Sequence, residues 1–510
     1  MSSSIALHGF HGGLRLPGHK IAASAASSRA CPLPPTLILP LGQYGGSLAQ
    51  VLVAPGDRVR RGQLVARADG LAANVHAPAA GSIVAIEPRP VPHICGLPAS
   101  CIVLAVDTDA DTDDRAICFP PMVEWQQADA QSLLERIADA GIVGLGGAAF
   151  PTATKLGYPI ELLVINGAEC EPWIACDQML LRERAQEVCT GARIMRQIVG
   201  ATRVVLAIED RMQDAAEAVR AALDSSTDIE LVEVPTIFPQ GGERQLIRVL
   251  TGKEVPSGGY PVDIGVLCHN VGTAAAVYRA IVRGEPLLER YVSVTGHGVL
   301  AAGTWRVTIG TPVEWLIAQA GGYSGDAARV VLGGSMTGTA IATDAVPIVK
   351  ASNCVLVLTT DQLRDPAPEL PCIRCGECAR VCPAQLLPQQ LHWFIRAADW
   401  DAVESHALID CIECGLCAQV CPSHIPLVDW YRHGKTELHL RADAQQRADA
   451  ARKRFEARTL RLAQAQAERT ERLAARQAVD EESPASDPIA AAVQRAAARK
   501  RSEGGPEHGA

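Results

Sequence analysis

The sequence lacks the marks of a membrane-spanning, secreted or nucleic-acid-binding chain. Only 4% of its 510 residues are aromatic, and no stretch reaches the roughly 18 apolar residues that a membrane-spanning helix needs. The nearest candidate, Val266 to Val282, contains His269, Asn270 and Arg279. The start, MSSSIALHGFHGG, lacks the basic segment and apolar run of a secretory signal. Because the net charge is -9 and no basic stripe carries interleaved aromatics, no nucleic acid partner is expected.

Length and composition indicate several globular domains. A chain of 510 residues exceeds what one apolar core normally serves, so three or four domains are expected. Nine of the 17 cysteines are scattered without a pairing pattern, which is typical of small buried side chains in a reducing compartment. These nine are Cys31, Cys95, Cys101, Cys118, Cys170, Cys176, Cys189, Cys268 and Cys354.

The other eight cysteines form two copies of one spacing. The first copy is Cys372-Ile-Arg-Cys375-Gly-Glu-Cys378-Ala-Arg-Val-Cys382-Pro, and the second is Cys411-Ile-Glu-Cys414-Gly-Leu-Cys417-Ala-Gln-Val-Cys421-Pro. This is the C-x2-C-x2-C-x3-C-P pattern of bacterial two-cluster ferredoxins. Zinc sites and disulfides are alternatives, but zinc sites rarely add a third cysteine and a Cys-Pro to each half. The runs therefore predict two 4Fe-4S clusters and single-electron transfer.

The resemblance to two-cluster ferredoxins also implies how the ligands are shared. In those proteins, the fourth cysteine of each run ligates the other cluster. One cluster would then be held by Cys372, Cys375, Cys378 and Cys421, and the other by Cys411, Cys414, Cys417 and Cys382. This crossing would hold the two clusters side by side.

Short apolar runs separated by turn signals predict a β-sandwich over residues 37 to 86. The pattern V-x-x-G-D-x-V-x-x-G-Q, followed by H-A-P-x-x-G, resembles the biotinyl/lipoyl carrier fold. In that family a modified lysine sits in the hairpin between the two halves. The hairpin Asp69 to Ala73 has no lysine, so we expect a structural domain and not a swinging arm.

The rest of the chain changes pattern three times. From about 129 to 285, helical segments such as Asp177 to Val199 alternate with short apolar runs, which predicts an α/β domain with a largely parallel sheet. Strand patterns return from 290 to 358 around one helix near Pro312 to Ala320, as in a small β-grasp unit. The Ala-, Arg-, Gln- and Glu-rich residues 436 to 479 predict a long solvated helix, with a disordered end from Asp480.

A glycine-rich segment from Gly141 to Lys155 has the character of an anion site. Its glycines let backbone N-H groups approach a phosphate, and a helix starting near Thr152 would add its positive end and Lys155. Alone, such a loop fits a tight turn without a ligand equally well.

Further motifs give this segment a family context. The chain resembles the NADH- and FMN-binding flavoprotein subunit of respiratory NADH dehydrogenases, whose loop reads G-x-G-G-x-G-F-P-T-G-x-K. It resembles more closely the C subunit of the Rnf (Rsx) ion-translocating electron-transport complex, over most of residues 9 to 435. The matching segments are Gly12-Gly13, the sandwich, Gly144 to Lys155, Asn166 to Pro172, Pro239 to Glu243, Val255 to Gly259, Asn270 to Ala275 and both cysteine runs.

The flavoprotein resemblance implies cofactor-binding roles for a set of residues, and no catalytic side chain beyond them. The FMN phosphate and ribityl chain would be cradled by Gly144, Gly146, Gly147 and Lys155, and the isoalloxazine held by Asn166, Asn270 and Thr273. Phe150 would stack on the NADH adenine, and the nicotinamide nucleotide would face Glu171 and Glu243, with Glu169 as a further cofactor-binding residue. Carboxylates near ribose hydroxyls disfavour a 2'-phosphate, so NADH is expected over NADPH.

The sequence departs from the family pattern at several positions. Ala149 replaces the glycine before Phe-Pro-Thr, which adds a methyl group where the backbone approaches the flavin. Where the respiratory subunit has acidic residues, this chain has Ala168, Gly242 and Gly272. The segment Leu14 to Pro17 follows Gly12-Gly13 without the histidine common in Rnf C subunits.

The resemblance implies a peripheral subunit on the cytoplasmic face of a bacterial inner membrane. It would pass electrons between NAD(H) and two 4Fe-4S clusters through FMN, while membrane subunits carry out ion transport as the translocase; ferredoxin is a further candidate partner. A soluble NADH-dependent flavin and iron-sulfur reductase, similar to the cobalamin reductase of diol-utilising microcompartments, is the main alternative. A third is a scaffold that keeps the flavin fold without flavin.

The predicted fold class is a multidomain α/β protein of six segments. They are an N-terminal segment (1-36), a barrel-sandwich-like domain of biotinyl/lipoyl-like type (37-120), an α/β FMN/NADH-binding domain (121-288), a β-grasp domain of the soluble-ligand-binding (SLBB) type (289-362), a two-cluster ferredoxin-type α-helical domain (363-435) and a helical then disordered tail (436-510).

Overall fold

The computed structural model describes residues 5-43, 47-93, 95-107, 119-224, 226-363, 368-482 and 488-502. The chain divides into one unit from Met1 to Lys435 and a second from Thr436 to Ala510. Cys118, expected to be a buried cysteine, lies outside the described residues. The boundaries between the smaller predicted domains stay predictions.

The first unit begins with a short helix, a short strand and the predicted β-sandwich. These elements are α1 (Ile21–Ser24), β1 (Arg29–Ala30), β2 (Thr36–Pro40), β3 (Gln50–Val51), β4 (Arg58–Val59), β5 (Leu64–Arg67), β6 (Val75–His76), β7 (Gly81–Pro90) and β8 (Pro98–Val106). One sheet has the order β2-β8-β7-β4 and the other β3-β5-β6. Alternate side chains of both, such as Leu37, Val65 and Leu104, share one apolar core.

The α/β domain follows, with a parallel sheet of order β11-β10-β9-β12. Its strands are β9 (Leu162–Gly167), β10 (Arg203–Glu209), β11 (Glu230–Val234) and β12 (Val266–Asn270). Its helices are α2 (Ala130–Asp139), α3 (Thr152–Lys155), α4 (Cys176–Val199), α5 (Gln213–Leu223), α6 (Glu243–Thr251) and α7 (Val271–Tyr278), and a π-helix (Arg279–Arg283) continues α7. The register places Asn270 beside Asn166 at the carboxyl ends of β12 and β9, where ligands of such sheets bind.

The third fold is a mixed six-stranded sheet packed on one helix. Its own elements are β13 (Glu289–Thr295), β14 (Gly303–Thr308), α8 (Val313–Gln319), β15 (Ala327–Leu332), β16 (Thr339–Ala340) and β17 (Cys354–Thr359). Parallel pairing of β13 with β17 beside antiparallel hairpins gives the predicted β-grasp arrangement. Strand β1 extends this sheet by pairing with β14, so the N-terminal segment is part of the fold.

The two cysteine runs fold as a backbone repeat. The helices of this part are α9 (Glu377–Arg380), α10 (Pro388–Arg396), α11 (Trp400–Ser405) and α12 (Leu416–Gln419). Gly376 and Gly415, just before α9 and α12, have φ of 80° and 82°. Arg374 and Glu413, at matching positions between cysteines, have φ of 59° and 54°. The sequence repeat is therefore also a structural repeat.

The tail is more helical than expected. After α13 (Leu427–Glu482), a further helix, α14 (Pro488–Ser502), occupies part of the stretch predicted to be disordered from Asp480, and that prediction was wrong there. Alanine-rich sequence, proline at the first helical position and basic residues in the last turn all favour a helix. Residues 483-487 and 503-510 lie outside the described residues. Each helix among the described residues is too short or too polar to cross a membrane.

Long-range hydrogen bonds connect separate parts of the first unit. An N-terminal arm, residues 8 to 20, runs beside the second half of the first cysteine run: Gly13 N donates to Val381 O (3.1 Å), and His11 Nδ1 lies 2.9 Å from Cys382 O. Buried Lys350 donates from Nζ to two backbone oxygens, each at 2.6 Å. These belong to Asn74 of the sandwich and Gly141 of the α/β domain.

Candidate flavin and iron-sulfur site

A cleft of ≈ 420 Å³ lies at the carboxyl ends of β9 and β12. Its volume is in the range of small-molecule sites. Six of the predicted cofactor-binding residues line it: Gly146, Asn166, Glu169, Glu171, Glu243 and Asn270. The other five, Gly144, Gly147, Phe150, Lys155 and Thr273, are not among the lining residues. The motifs thus converge on one place, but only about half of their side chains face it.

The two asparagines are held in fixed orientations. Asn166 Nδ2 donates to Gly241 O (2.9 Å), and its Oδ1 accepts from Ala168 N (2.9 Å). Asn270 caps helix α7 by accepting from Gly272 N (2.7 Å), and its Nδ2 donates to Asp177 Oδ2 (2.6 Å). Since these bonds fix both side chains, the amides are preorganised at the floor of the cleft.

The glycine-rich loop closes on itself. Gly144 N donates to Phe150 O (2.8 Å), and Ala149 N donates to Gly144 O (3.1 Å). Thr273 is buried under the loop and accepts from Leu145 N (2.9 Å), so its role in the structure is to support the loop. Gly147 has φ of 112° with open space at its Cβ position, which leaves its backbone accessible to a ligand.

Lys155 is paired within the protein. Its Nζ donates to Glu243 Oε1 (2.5 Å) and to Cys268 O (2.7 Å). The predicted phosphate-binding lysine and the predicted nucleotide-facing glutamate are thus partners in one ion pair at the rim of the cleft. A ligand phosphate would have to compete with Glu243 for this ammonium group.

Glu171 links the cleft to the β-grasp fold. Its Oε1 accepts from Met336 N (2.7 Å) and Thr337 N (3.2 Å), and its Oε2 accepts from Thr337 Oγ1 (3.1 Å). Burial raises the pKa of Glu171, although these hydrogen bonds oppose the rise. The carboxylate therefore holds the 336-337 loop against the cleft.

Three charged residues of the site were not predicted from the sequence. Asp177, in the first turn of α4, lines the cleft and accepts from Asn270. Lys20 of the arm is buried with its Nζ 3.8 Å from Glu169 Oε2. Buried Arg290 donates to Leu145 O (3.0 Å). An acidic residue in the first turn of a helix was the one available sequence signal, for Asp177; the others depend on tertiary contacts.

A second cavity groups the cysteines across the two runs. Its lining includes Cys382 of the first run together with Cys411, Cys414 and Cys417 of the second. Backbone N-H groups point at two of these sulfurs: Leu386 N lies 3.4 Å from Cys382 Sγ, and Glu413 N lies 3.4 Å from Cys411 Sγ. Such N-H···S bonds are a known means of stabilising ligating thiolates. This grouping supports the crossed ligand set.

The other predicted set lies at the more exposed end of the repeat. Cys375 is exposed, and Cys372, Cys378 and Cys421 are half-buried. Ser423 connects the two runs here, because its O accepts from Leu370 N (2.9 Å) and its Oγ donates to Pro371 O (3.0 Å). The end of the second run is thereby tied to the start of the first.

The cleft and the cysteine cavity adjoin. Ile412 and Cys414 line both of them. The cavity of the Cys411 set therefore borders the cleft directly. A cluster held by these cysteines would be the nearer of the two to a ligand in the cleft.

The residues of both sites fit the implied cofactors. In the cleft, Glu169 Oε2 and Gln245 Oε1 are buried without a hydrogen-bond partner among the described residues, as expected where a polar ligand completes the site. Gly146 lines the cleft, is exposed and has no side chain, so its backbone is accessible to a ligand there. The four-sulfur cavity has the donor set that 4Fe-4S clusters use.

Comparison with family models matches four regions in chain order. These are an RnfC barrel sandwich hybrid domain (residues 8-109), a Nuo51 FMN-binding domain (137-279), an SLBB domain (291-340) and a 4Fe-4S dicluster domain (371-425). The predicted fold class is confirmed, and so are FMN and iron-sulfur clusters as the cofactors of these domains.

Curated relatives match almost the whole chain. The C subunit of the ion-translocating oxidoreductase complex of Pseudomonas aeruginosa is 45% identical over 98% of this chain and 66% of its own length. The protein of the same name from Yersinia pestis is 44% identical over 89% of this chain and 73% of its own length. The chain spans about two thirds of the length of these relatives.

A solved structure shows a more distant likeness. An NAD+-reducing [NiFe]-hydrogenase in the H2-reduced state is 21% identical, with a TM-score of 0.43, over 62% of this chain and 65% of that one. The family rests instead on the four ordered domain matches and the near-complete alignments. The chain belongs to the family of C subunits of the ion-translocating oxidoreductase complexes.

Proposed function

We propose that the chain is the peripheral electron-transfer subunit of a membrane-bound, ion-translocating complex, and that it exchanges electrons between NAD(H) and two 4Fe-4S clusters by way of FMN. The observation that carries the proposal is the shared wall at Ile412 and Cys414, which joins the flavin-type cleft to the cavity of four cysteines. Family membership supports the role of a complex subunit over the soluble-reductase alternative.

Separate sets of residues would bind FMN and the two clusters. Asn166, Asn270 and the backbone of Gly146 would hold FMN in the cleft. FMN, when bound, can take the two electrons of a hydride and pass them on singly, as one-electron clusters require. Cys411, Cys414, Cys417 and Cys382 would hold the cluster next to the cleft, and Cys372, Cys375, Cys378 and Cys421 the outer one.

The same cleft would select NADH over NADPH. Glu171 and Glu243 line it and carry carboxylates that accept hydrogen bonds from ribose hydroxyls and repel a 2'-phosphate. Glu243 shares its charge with Lys155 in an ion pair, whereas the partners of Glu171 at Met336 and Thr337 are neutral donors, so the negative charge of Glu171 would contribute more to repelling a 2'-phosphate. Replacing Glu171 by Gln should narrow the ratio of kcat/KM between NADH and NADPH, whereas unchanged selectivity would count against this assignment.

An anaerobic reduction experiment tests the central proposal. The purified chain is analysed for FMN and iron, then NADH is added while flavin bleaching and EPR signals are followed. We expect fast bleaching and then two interacting 4Fe-4S signals. Clusters that accept electrons from dithionite, in a protein without FMN and without a response to NADH, would contradict it and favour the scaffold alternative.

A substitution in the cleft separates flavin binding from cluster assembly. Asn270→Ala should weaken FMN binding by roughly tenfold or more, since a lost buried hydrogen bond costs about 1–3 kcal/mol, and should leave the iron content unchanged. Gln131→Ala, on an exposed face of α2, is the matched control. Equal FMN retention in both variants would argue against this cleft as the flavin site.

The cytoplasmic face, the membrane partners and ferredoxin as electron donor are part of the proposal. Co-purification with a multi-subunit membrane complex, and release from membranes by salt or alkali without detergent, are the expected results.

Cleavage by protease in inverted but not in right-side-out vesicles tests whether the chain lies on the cytoplasmic face. Reduction of the clusters by reduced ferredoxin tests that partner.

A further inference from the structure

If the proposed function holds, the oxidation of NADH by this chain releases a proton that must leave the site. Oxidation of NADH gives NAD+, one proton and two electrons. The electrons leave singly through iron-sulfur clusters, which take no proton with them. One proton must therefore leave the cleft for each NADH oxidised, or enter it for each NAD+ reduced, and the clusters cannot be its route.

Asp177 lies between the cleft and a second, separate cavity. It lines the flavin-type cleft, and it also lines a second cavity of ≈ 70 Å³. A space of this size accommodates several waters, since each needs about 10–15 Å³ measured in this way. Leu145 is the only other residue that lines both spaces among the described residues. Asp177 is thus the one titratable group common to the two.

On the cleft side, Asp177 is coupled to the predicted flavin contacts. Its Oδ2 accepts from Asn270 Nδ2 at 2.6 Å. Its backbone N donates to Glu169 Oε1 (3.0 Å), which also accepts from Cys176 Sγ (3.3 Å). Glu169 is 8% exposed, and its Oε2 has no hydrogen-bond partner among the described residues. A proton on Asp177 would therefore be one hydrogen bond away from an amide at the flavin.

On the far side, the cavity continues as a network of charged groups. Arg279 bridges Glu285 (3.0 Å), Glu289 and Glu187, and Arg283 pairs with Glu187 at 3.3 Å. The side chain of Arg283 is 44% exposed, so this network reaches the solvent. Carboxylates and water in one connected cavity are the usual components of a proton path.

The charges around Asp177 favour retention of a proton. Burial raises the pKa of Asp177, and the nearby Glu169 carboxylate raises it further. The hydrogen bond from Asn270 and the positive charges of Arg290 and Lys20 lower it and limit the rise. The neighbouring Cys176 thiol has a raised pKa and stays neutral. Asp177 is thus set to change protonation closer to neutral pH than an exposed aspartate does.

We propose that Asp177 is the proton-exchange residue of the flavin site and passes the proton between the cleft and the charged cavity behind it. During NADH oxidation the Asp177 carboxylate accepts the released proton and yields it to water in that cavity. During NAD+ reduction the same carboxyl supplies the proton in the opposite direction.

The Asp177→Asn variant tests the proposal with three measurements. The first is the rate at which a pH-indicator dye reports proton release, compared with the rate of cluster reduction after NADH. Both should fall on the order of 10²-fold, the usual contribution of a positioned acid-base group. The second is chemical rescue: formate or another small acid should restore part of the lost rate, which a purely structural defect would not allow.

The third measurement does not depend on NADH. Electrochemical reduction of the FMN-loaded protein, followed by infrared difference spectroscopy, should show a carboxyl C=O band that shifts in heavy water and is absent from Asp177→Asn. This measurement tests the role of Asp177 even if the wild type fails to respond to NADH. That failure would contradict the proposed function and not the role of Asp177.

Two further variants control for folding. Asp139→Asn, at the exposed end of α2, makes the same chemical change away from the site and should behave as wild type. If Asp177→Asn fails to fold, Asp177→Glu is used in its place. This variant retains the carboxyl and should keep the infrared band. Wild-type rates in Asp177→Asn, or an infrared band that persists in it, would overturn the proposal.

Discussion

At the scale of single residues, one departure from the family pattern places an alanine in a strained backbone conformation. Ala149 is buried with φ of 52°, in the left-handed region where the glycine of related loops fits without strain. Its N-H nevertheless makes the bond to Gly144 O that closes the loop. The alanine therefore keeps the loop shape at an energetic cost.

Ala149→Gly should stabilise the protein by up to about 1 kcal/mol, because relief of the left-handed strain outweighs the greater freedom of glycine in the unfolded chain. The thermal unfolding midpoint should rise. Ala148→Gly is the matched control: Ala148 is exposed without a left-handed φ, so it should lower the midpoint instead. Equal shifts of the unfolding midpoint in the two variants would show that the backbone at Ala149 is not strained.

Single residues also mark how far sequence reasoning can go in the cleft. Asn166 and Asn270 could be predicted because family motifs name them, and the parallel register brings them together. The pairing of Lys155 with Glu243 could not, because both were assigned to ligands and the Coulomb attraction between them acts only in the folded chain. Asp177 was predicted only as part of a helix, since nothing in a sequence reveals two cavities on either side of one residue.

At the scale of elements, the cysteine repeat makes the order of electron transfer testable. Cys382→Ser removes a proposed ligand of the cluster next to the cleft, while Cys421→Ser affects the outer set. With Cys421→Ser, NADH should still reduce one cluster, whose signal no longer shows interaction with a second. With Cys382→Ser, NADH should bleach the flavin but reduce the outer cluster slowly, although dithionite reduces it. The reverse pattern would refute the order.

The N-terminal arm is an element that the sequence pattern did not predict as such. Gly12 has φ of 70°, and a Cβ there would collide with the carbonyl of Val381, next to the proposed ligand Cys382. The glycine pair could be recognised as a family feature, but its reason lies in contacts with residues more than 300 positions away. Long-range contacts of this kind leave no periodic signal.

Gly12→Ala should lift the arm from the cysteine repeat, at a cost of about 1–3 kcal/mol for the strained backbone and clash. We expect a lower iron content and a perturbed EPR signal of the cluster nearer the cleft. Gly9→Ala is the control, because Gly9 has open space at its Cβ position and no left-handed φ. An unaltered cluster signal in Gly12→Ala would show that the arm does not support Cys382.

At the scale of the first unit, Lys350 fixes three folds around one ammonium group. Burial lowers its pKa to about 7, from an ordinary value near 10.5. Between pH 7 and pH 10, Lys350 therefore binds fewer protons in the folded state than in the unfolded state. The contribution of Lys350 to stability should rise with pH across this window, because deprotonation removes the cost of burying the charge. Buried thiols with raised pKa values, such as Cys268 and Cys354, act in the opposite direction, so the effect of Lys350 is isolated by comparison with a variant.

Lys350→Met should remove the contribution of this lysine to the pH dependence and leave two buried carbonyls without their donor, at about 1–3 kcal/mol each. The measurement is the midpoint of the thermal unfolding transition at the lowest temperature, at pH 7 and at pH 9, for wild type and variant. Lys253→Met, at an exposed position, serves as the control. The wild-type midpoint should rise relative to that of the variant from pH 7 to pH 9, and a difference between the two midpoints that stays constant would contradict this account.

The sandwich has the architecture of carriers whose own lysine travels between active sites. Here the hairpin position has no lysine, and a lysine from the β-grasp fold binds the backbone of Asn74 at its end instead. What serves as the mobile tip in a carrier is the anchored end in this chain. In the proposed function, electrons would therefore pass between cofactors without a swinging arm of the sandwich.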